Sequence, residues 1–164
     1  MDVKKLAFMA LSVTLAMIMS FVESQIPTLI AVPGVKVGLA NIVVVFILYK
    51  LGWKEAAAIS LIRVFLVGLL FGSGVSMLYG LAGAAVSLGG MVLLRKAKVF
   101  SSVTVSVCGG VLHNLAQVGM ACILMGTTAL KYYIPVLLFS GICSGIVIGL
   151  LAAIMVRKVK LPPM

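Results

Sequence analysis

Residues 132–156 read YYIPVLLFSGICSGIVIGLLAAIMV, an apolar run that contains no charged side chain. A helix needs roughly 20 such residues to cross the hydrocarbon core of a bilayer, so we predict a transmembrane helix here. Small residues recur at four-residue steps along it, at Gly141, Gly145, Gly149 and Ala153. This spacing predicts one smooth ridge for close helix packing, either within the chain or against a partner.

The whole chain shares this apolar character. Of its 164 residues, 63% are hydrophobic and 10% are charged, and the mean hydropathy is +1.32. A soluble domain of this size could not bury so much apolar surface, so lipid must cover it. We predict an all-α membrane protein, a single transmembrane domain over residues 1–164. Its six predicted helices are 4–22, 37–50, 54–71, 75–94, 101–125 and 132–156.

The distribution of lysine and arginine predicts the orientation of these helices. With the N-terminus inside, the outer side holds only Lys36 and Lys131. The cytoplasmic side then holds ten basic residues: Lys4, Lys5, Lys50, Lys54, Arg95, Lys96, Lys98, Arg157, Lys158 and Lys160. We therefore predict a multi-pass protein of the cell membrane with both termini in the cytoplasm. The net charge of +10 reflects this orientation and does not indicate nucleic acid binding.

The inventory of chemical groups argues against catalysis. Asp2, Glu23 and Glu55 are the three acidic residues of the sequence, and one histidine is present. A prenyl diphosphate synthase needs clustered aspartates to hold magnesium, and a nucleotide hydrolase needs a glycine-rich phosphate loop. The sequence contains neither, so we predict a protein that is not an enzyme and that binds no metal or cofactor.

Three cysteines lie inside the apolar runs without the spacing of a metal site or a disulfide framework. We expect Cys108, Cys122 and Cys143 to be buried, unpaired thiols.

Polar residues within the predicted helices are the best indication of a site. Arg63 lies near the middle of the third helix, where its charge needs an anion, a set of carbonyl groups or water. On the fifth helix His113 and Gln117 are four residues apart and Asn114 is adjacent, so these side chains share one sector. Both features fit substrate binding, and both also fit structural hydrogen bonds between helices.

The connection between the first two helices, residues 23–36, is unusually apolar for an exposed loop. Pro27, Pro33, Gly34 and Gly38 would interrupt regular structure and give it a defined course. Two interpretations stay open. The segment is either a lid over a site that opens outward or an interfacial loop among lipid headgroups.

The lid interpretation adds four candidate substrate-binding residues. Lys36 and Asn41 would contact the ligand, and Glu23 would pair with Lys36 or with Arg63. Tyr79, near the outer start of the fourth helix, would border the same space.

Two sequence motifs support a family resemblance. Residues 32–42, VPGVKVGLANI, and residues 52–57, GWKEAA, resemble the Gx transporter family, which is also labelled heptaprenyl diphosphate synthase component I. This family in turn resembles the substrate-binding S components of energy-coupling factor (ECF) transporters. The likeness covers nearly the whole chain in length, helix count and loop placement.

The resemblance implies a six-helix protein that captures a vitamin-like molecule near the outer face. It also implies partners, namely a transmembrane coupling subunit and two cytoplasmic ATPases. S components meet the coupling subunit through an Ala-x-x-x-Ala surface on the first helix. At this spacing the chain has Ser12, Ala16 and Ser20, which match in small size.

Two functions follow as hypotheses. The first is a substrate-binding subunit that moves a small, vitamin-like, anionic molecule. The alternative is a non-catalytic membrane accessory subunit linked to heptaprenyl diphosphate biosynthesis.

Overall fold

The structure, a computed structural model, describes residues 3–25 and 38–160. These residues form helices and connecting turns and contain no strand, so the predicted all-α class is confirmed. The α-helices are α1 (Val3–Gln25), α2 (Asn41–Lys50), α3 (Trp53–Phe71), α4 (Gly74–Lys96), α5 (Ser102–Met125) and α6 (Ile134–Lys158). A short 3-10 helix, Ala129–Tyr133, precedes α6. Helix α1 extends to Gln25, so the predicted outer loop of residues 23–36 begins inside a helix, and α2 begins later than predicted.

Several helix ends are set by local sequence. Ser73 caps α4 by accepting a hydrogen bond from the Ser76 backbone N–H, and the Ser76 hydroxyl accepts from the Ser73 N–H. Ser101 caps α5 by accepting from the Thr104 N–H. Helix α5 ends at Gly126, whose φ of 61° lies in the left-handed region that glycine adopts without strain. These caps fix where the apolar helices turn back.

Four helical segments are long and apolar enough to cross a membrane. They are Val3–Gln25, Gly74–Lys96, Ser102–Met125 and Ala129–Lys158. Helix α3 has 19 residues but carries Lys54, Glu55 and Arg63. The 10 residues of α2 extend about 15 Å, which is half the thickness of a hydrocarbon core. Alone, α2 is too short to cross, and the predicted count of six spans stays a prediction.

Basic side chains gather at one end of the bundle, which we call the basic end. Here α1 begins, α2 turns into α3, α4 ends and α6 ends. Lys5 Nζ pairs with Glu55 Oε1 at 2.5 Å. Arg95 donates to the Tyr49 carbonyl oxygen at 3.4 Å, and its guanidinium lies over the Tyr49 ring. These contacts join α1 to α3 and α2 to α4.

Helix α2 is the centre of the hydrophobic core. Every side chain from Ile42 to Leu48 is buried. A helix that is apolar on all sides must be enclosed by others, and α2 is packed against α3, α6 and α1. Core residues such as Ile59, Val105 and Ala152 lie in the halves of their helices that adjoin the basic end. The bundle is therefore solid on that side.

The glycine ridge of α6 packs against α5, which is the within-chain alternative of the two interpretations of this ridge. A Cβ atom added to Gly145 would lie 2.5 Å from Val107 Cα, and one added to Gly149 would lie 2.7 Å from Val103 Cα. Glycine is required because the two backbones approach too closely for a side chain. Ala153, the last member of the predicted ridge, is only half-buried.

The small-residue row of α1 faces other helices of the chain, and its role in docking a partner stays a prediction. Ser12 and Ala16 are buried, with 6% and 0% of their surface exposed, and Ser20 contacts α3. Small residues face the side on which helices approach most closely, and for α1 that side is α2 and α3.

Candidate functional site

A large cavity lies among the described helices and opens away from the basic end. Its volume is about 750 Å³. Its floor is formed by Gly38, Asn41, Met91 and Ile148, at the level where the packed core begins. This volume falls in the range of about 300–1,000 Å³ that is usual for small-molecule sites.

Most of the predicted site residues meet in this cavity. Those that line it are Glu23, Asn41, Arg63, His113, Asn114 and Gln117. Lys36 lies outside the described residues. Tyr79 is not among the described residues of the cavity wall, because α4 lines it with the face that carries Ser76 and Gly80. The substrate-binding role of all eight residues stays a prediction.

Arg63 supplies a partly buried positive charge to the cavity wall. Its Nη1 donates to Ser20 Oγ at 3.3 Å. Its Nε is fully buried and has no hydrogen-bond partner among the described residues. Glu23 lines the same cavity, but the ion pair found within 4.0 Å in the described part of the chain is Lys5 with Glu55. The guanidinium therefore keeps a donor that no described protein group uses.

Glu23 contacts the turn before α2, and its predicted pairing with Lys36 lies outside the described residues. Its carboxylate accepts a hydrogen bond from the Gly38 backbone N–H, which ties the end of α1 to the turn before α2. Gly38 has a φ of +77°, a conformation that favours glycine. A Cβ added there would lie 3.2 Å from the Cδ1 atom of Ile148, so this turn also lies against the middle of α6.

The polar residues His113 and Asn114 of α5 have different surroundings. Asn114 is buried, and its side-chain amide donates to the Leu137 carbonyl oxygen at 2.7 Å, which links α5 to α6. The His113 ring lies directly against Gly83 of α4, because a Cβ added to Gly83 would be 2.7 Å from His113 Cε1. Asn114 thus has a structural bond in addition to its place in the wall.

The turn between α2 and α3 brings Asn41 and Arg63 to similar depth. Asn41 lies ten residues before Leu51, or about 15 Å along α2. Arg63 lies ten residues after Trp53, also about 15 Å along α3. Since α2 and α3 pack together, both residues lie about halfway through the bundle. The N-terminus of α2 therefore opens onto the cavity near the partly buried arginine.

Several small polar residues of the cavity wall were not predicted from the sequence. Ser87, Ser140 and Ser144 line the cavity, as does Cys143. In an apolar helix such residues have the same pattern as ordinary packing positions, so no sequence signal separates them. All three cysteines are free, but the expectation that they are buried is wrong: Cys143 is exposed, and the other two are half-buried.

This arrangement defines a class: a helical membrane protein that is packed at one end and has, at the other, a solute-sized cavity whose mainly apolar wall carries a few polar groups. Apolar outer surfaces and helices of membrane-spanning length support that class. The chain belongs to the family described as heptaprenyl diphosphate synthase component I, whose family model matches residues 12–155. This match confirms the resemblance given by the two motifs. A comparison with curated proteins found no match, and neither did one with solved structures.

Proposed function

We propose that this chain is the substrate-binding membrane subunit, or S component, of an ECF-type transporter in the cell membrane. Its substrate is a small, vitamin-like, anionic molecule that enters the cavity from outside. The observation that carries the proposal is the partly buried Arg63 guanidinium in the wall of a cavity of about 750 Å³, with Nε unpartnered among the described residues.

The energetics of a partly buried charge favour a ligand in this cavity. A charged side chain within the bilayer is costly unless it is paired or solvated. Ser20 is a neutral partner, and Glu23 lies in the same wall without forming a direct ion pair with Arg63 in the described part of the chain. An anionic substrate would offset the remaining cost and displace water from the cavity.

Transport requires energy that the chain itself does not supply. The sequence lacks a phosphate-binding glycine loop, so ATP must be hydrolysed elsewhere. We assign that role to two cytoplasmic ATPases, joined to this chain by a transmembrane coupling subunit. The inward turn of Ser12 and Ala16 leaves the exposed face of α1, with Ala7 and Ala10, for the coupling subunit.

The test is to identify what the protein retains. The chain is purified gently in detergent, and released small molecules are identified by mass spectrometry. We expect an anionic molecule in the wild type and at least a tenfold loss in Arg63→Ala. Lys158→Ala, which removes an exposed cation at the basic end, is the matched control and should retain the molecule. Equal retention by Arg63→Ala, or no retained molecule in any sample, would refute solute capture at this site.

A second candidate function is favoured by the family description, which names a component of a prenyl diphosphate synthase. In that case the chain is a non-catalytic accessory subunit, because its three acidic residues are too few and too scattered to hold a magnesium diphosphate. Copurification with a prenyl synthase and without ATPases would favour this function. Copurification with the ATPases and a coupling subunit would favour transport.

A further inference from the structure

Helix α2 starts inside the bundle, and its start is part of the cavity floor. The turn at Gly38 lies against Ile148, about 21 Å along α6. Asn41, the first residue of α2, lines the cavity. The N-terminus of a helix carries the positive end of its dipole, with an effective charge of roughly half a unit. In a low-dielectric setting such an end attracts an anion.

A second and independent feature points to the same place. Arg63 lies at the depth of Asn41 and lines the same cavity, and its buried Nε has no partner among the described residues. Glu23, an acidic residue of this wall, accepts a hydrogen bond from the Gly38 backbone N–H. That bond holds the turn in place at the floor.

The opposite end of the cavity has a different character. Large apolar side chains line it there, namely Phe71, Met77, Val136 and Phe139, together with the small polar residues Ser24 and Ser76. All four apolar residues lie near the ends of their helices that are farthest from the basic end. Large apolar surfaces therefore line this end, whereas Arg63, Asn41 and the Glu23 carboxylate bound to Gly38 lie nearer the floor.

From these observations we infer an oxyanion subsite at the cavity floor, formed by the Arg63 guanidinium and the Asn41 side-chain amide beside the first turn of α2. The inference rests on the proposed function and specifies its substrate class: an amphipathic molecule with a carboxylate or phosphate at one end. This group enters first and lies halfway through the bundle. The apolar or aromatic body then lies between Phe71 and Phe139.

Cys143 provides a probe of this subsite that does not require the natural substrate. It is exposed and lines the cavity, and its reactivity can be isolated by replacing Cys108 and Cys122 with alanine. The labelling rates of Cys143 are measured with small methanethiosulfonate reagents, one negatively and one positively charged. We expect the ratio of the negative to the positive rate to fall at least about fivefold in Arg63→Gln, because a nearby charge is weakly screened in a low-dielectric cavity.

Matched variants separate this effect from general damage. Lys158→Gln, at the exposed basic end of the same helix as Cys143, should leave the ratio unchanged. Asn41→Asp places a negative charge at the floor, keeps Arg63 and should also lower the ratio. Folding of each variant is checked by gel filtration in detergent. An unchanged ratio in both folded floor variants would overturn the oxyanion subsite.

Model ligands test the chemistry of the bound group. Phenyl phosphate and phenylacetate are added during labelling, with benzyl alcohol as the neutral control. We expect at least one anion to slow labelling of Cys143 at concentrations where benzyl alcohol does not, and the stronger of the two identifies phosphate or carboxylate. Equal protection by benzyl alcohol would contradict the subsite.

The two proposals can fail separately. A retained molecule without an anionic group would overturn the oxyanion subsite and leave solute capture intact. A charge-dependent labelling ratio without any retained molecule or ATPase partner would support the subsite and refute the transporter function.

Discussion

The Arg63 guanidinium of α3 donates a hydrogen bond to the Ser20 hydroxyl of α1 across 3.3 Å. Ser20 belongs to the same small-residue row as Ser12 and Ala16, which is turned toward the other helices. One hydroxyl thus joins α1 to α3 and orients the partly buried cation in the cavity wall. Nη1 is held by Ser20, while the buried Nε has no hydrogen-bond partner among the described residues.

Ser20→Ala should weaken ligand binding more than folding. The bond is long, so its loss should cost about 1 kcal/mol, or roughly a fivefold loss of affinity for the retained molecule. Binding is measured by titration of the purified protein with that molecule. Thr14→Ala is the control, since the exposed Thr14 hydroxyl bonds to the Ala10 carbonyl of its own helix. Equal losses in the two variants would show that the Ser20 contact does not orient Arg63 for binding.

Gly145→Ala should destabilise the protein. The added Cβ would lie 2.5 Å from Val107 Cα, a backbone atom, so α5 and α6 must separate at a cost of about 1–3 kcal/mol. Gly119→Ala is the control, because a Cβ there meets nothing within 4 Å. It should be neutral or stabilising by about 0.5–1 kcal/mol. Thermal unfolding in detergent measures both, and a smaller loss at Gly145 than at Gly119 would contradict the close packing.

Gly83→Ala should change the cavity. The added Cβ would lie 2.7 Å from His113 Cε1, so the ring must move away from α4. We expect the displaced ring to alter labelling of Cys143 or ligand affinity severalfold. Gly89→Ala on the same helix meets nothing within 4 Å and should alter neither. A Gly83→Ala protein with unchanged labelling and affinity would show that His113 does not shape the cavity.

Single cysteines test the predicted orientation. In a background with Cys108, Cys122 and Cys143 replaced by alanine, a membrane-impermeant maleimide is applied to intact cells. Thr127→Cys, in the turn after α5, should react from outside, and Lys158→Cys, at the end of α6, only after permeabilisation. The reverse pattern would contradict the inside location of the termini.

Local sequence was sufficient to predict where most helices lie. Residues 132–156 are long and apolar enough to require a helix in lipid, because every backbone polar group there must be satisfied internally. The inward location of Arg63 and His113 also followed from sequence, since lipid disfavours such groups. Six of the eight candidate residues line one cavity, and their shared inward location could be predicted for the same reason.

Only tertiary packing decided which face of each helix lies against the other helices. Ser12, Ala16 and Ser20 have a spacing that suits any close helix contact, and nothing in it distinguishes a partner from α2 and α3. The glycine ridge of α6 has the same ambiguity, and there the contact is also internal. The hydrogen bond from Asn114 to the Leu137 carbonyl could not be predicted from the sequence, because the two residues are 23 positions apart and meet only through helix packing.

By itself, the sequence determined an apolar helical chain for lipid, with a basic residue bias and a few polar groups that must turn inward. Only the tertiary structure decided that α2 stops halfway, closes the solid half of the bundle and presents its first turn to the cavity beside Arg63. The physical reason is that hydrophobicity and charge act on each residue locally. The depth at which a short helix begins depends instead on contacts between segments that are distant in the chain.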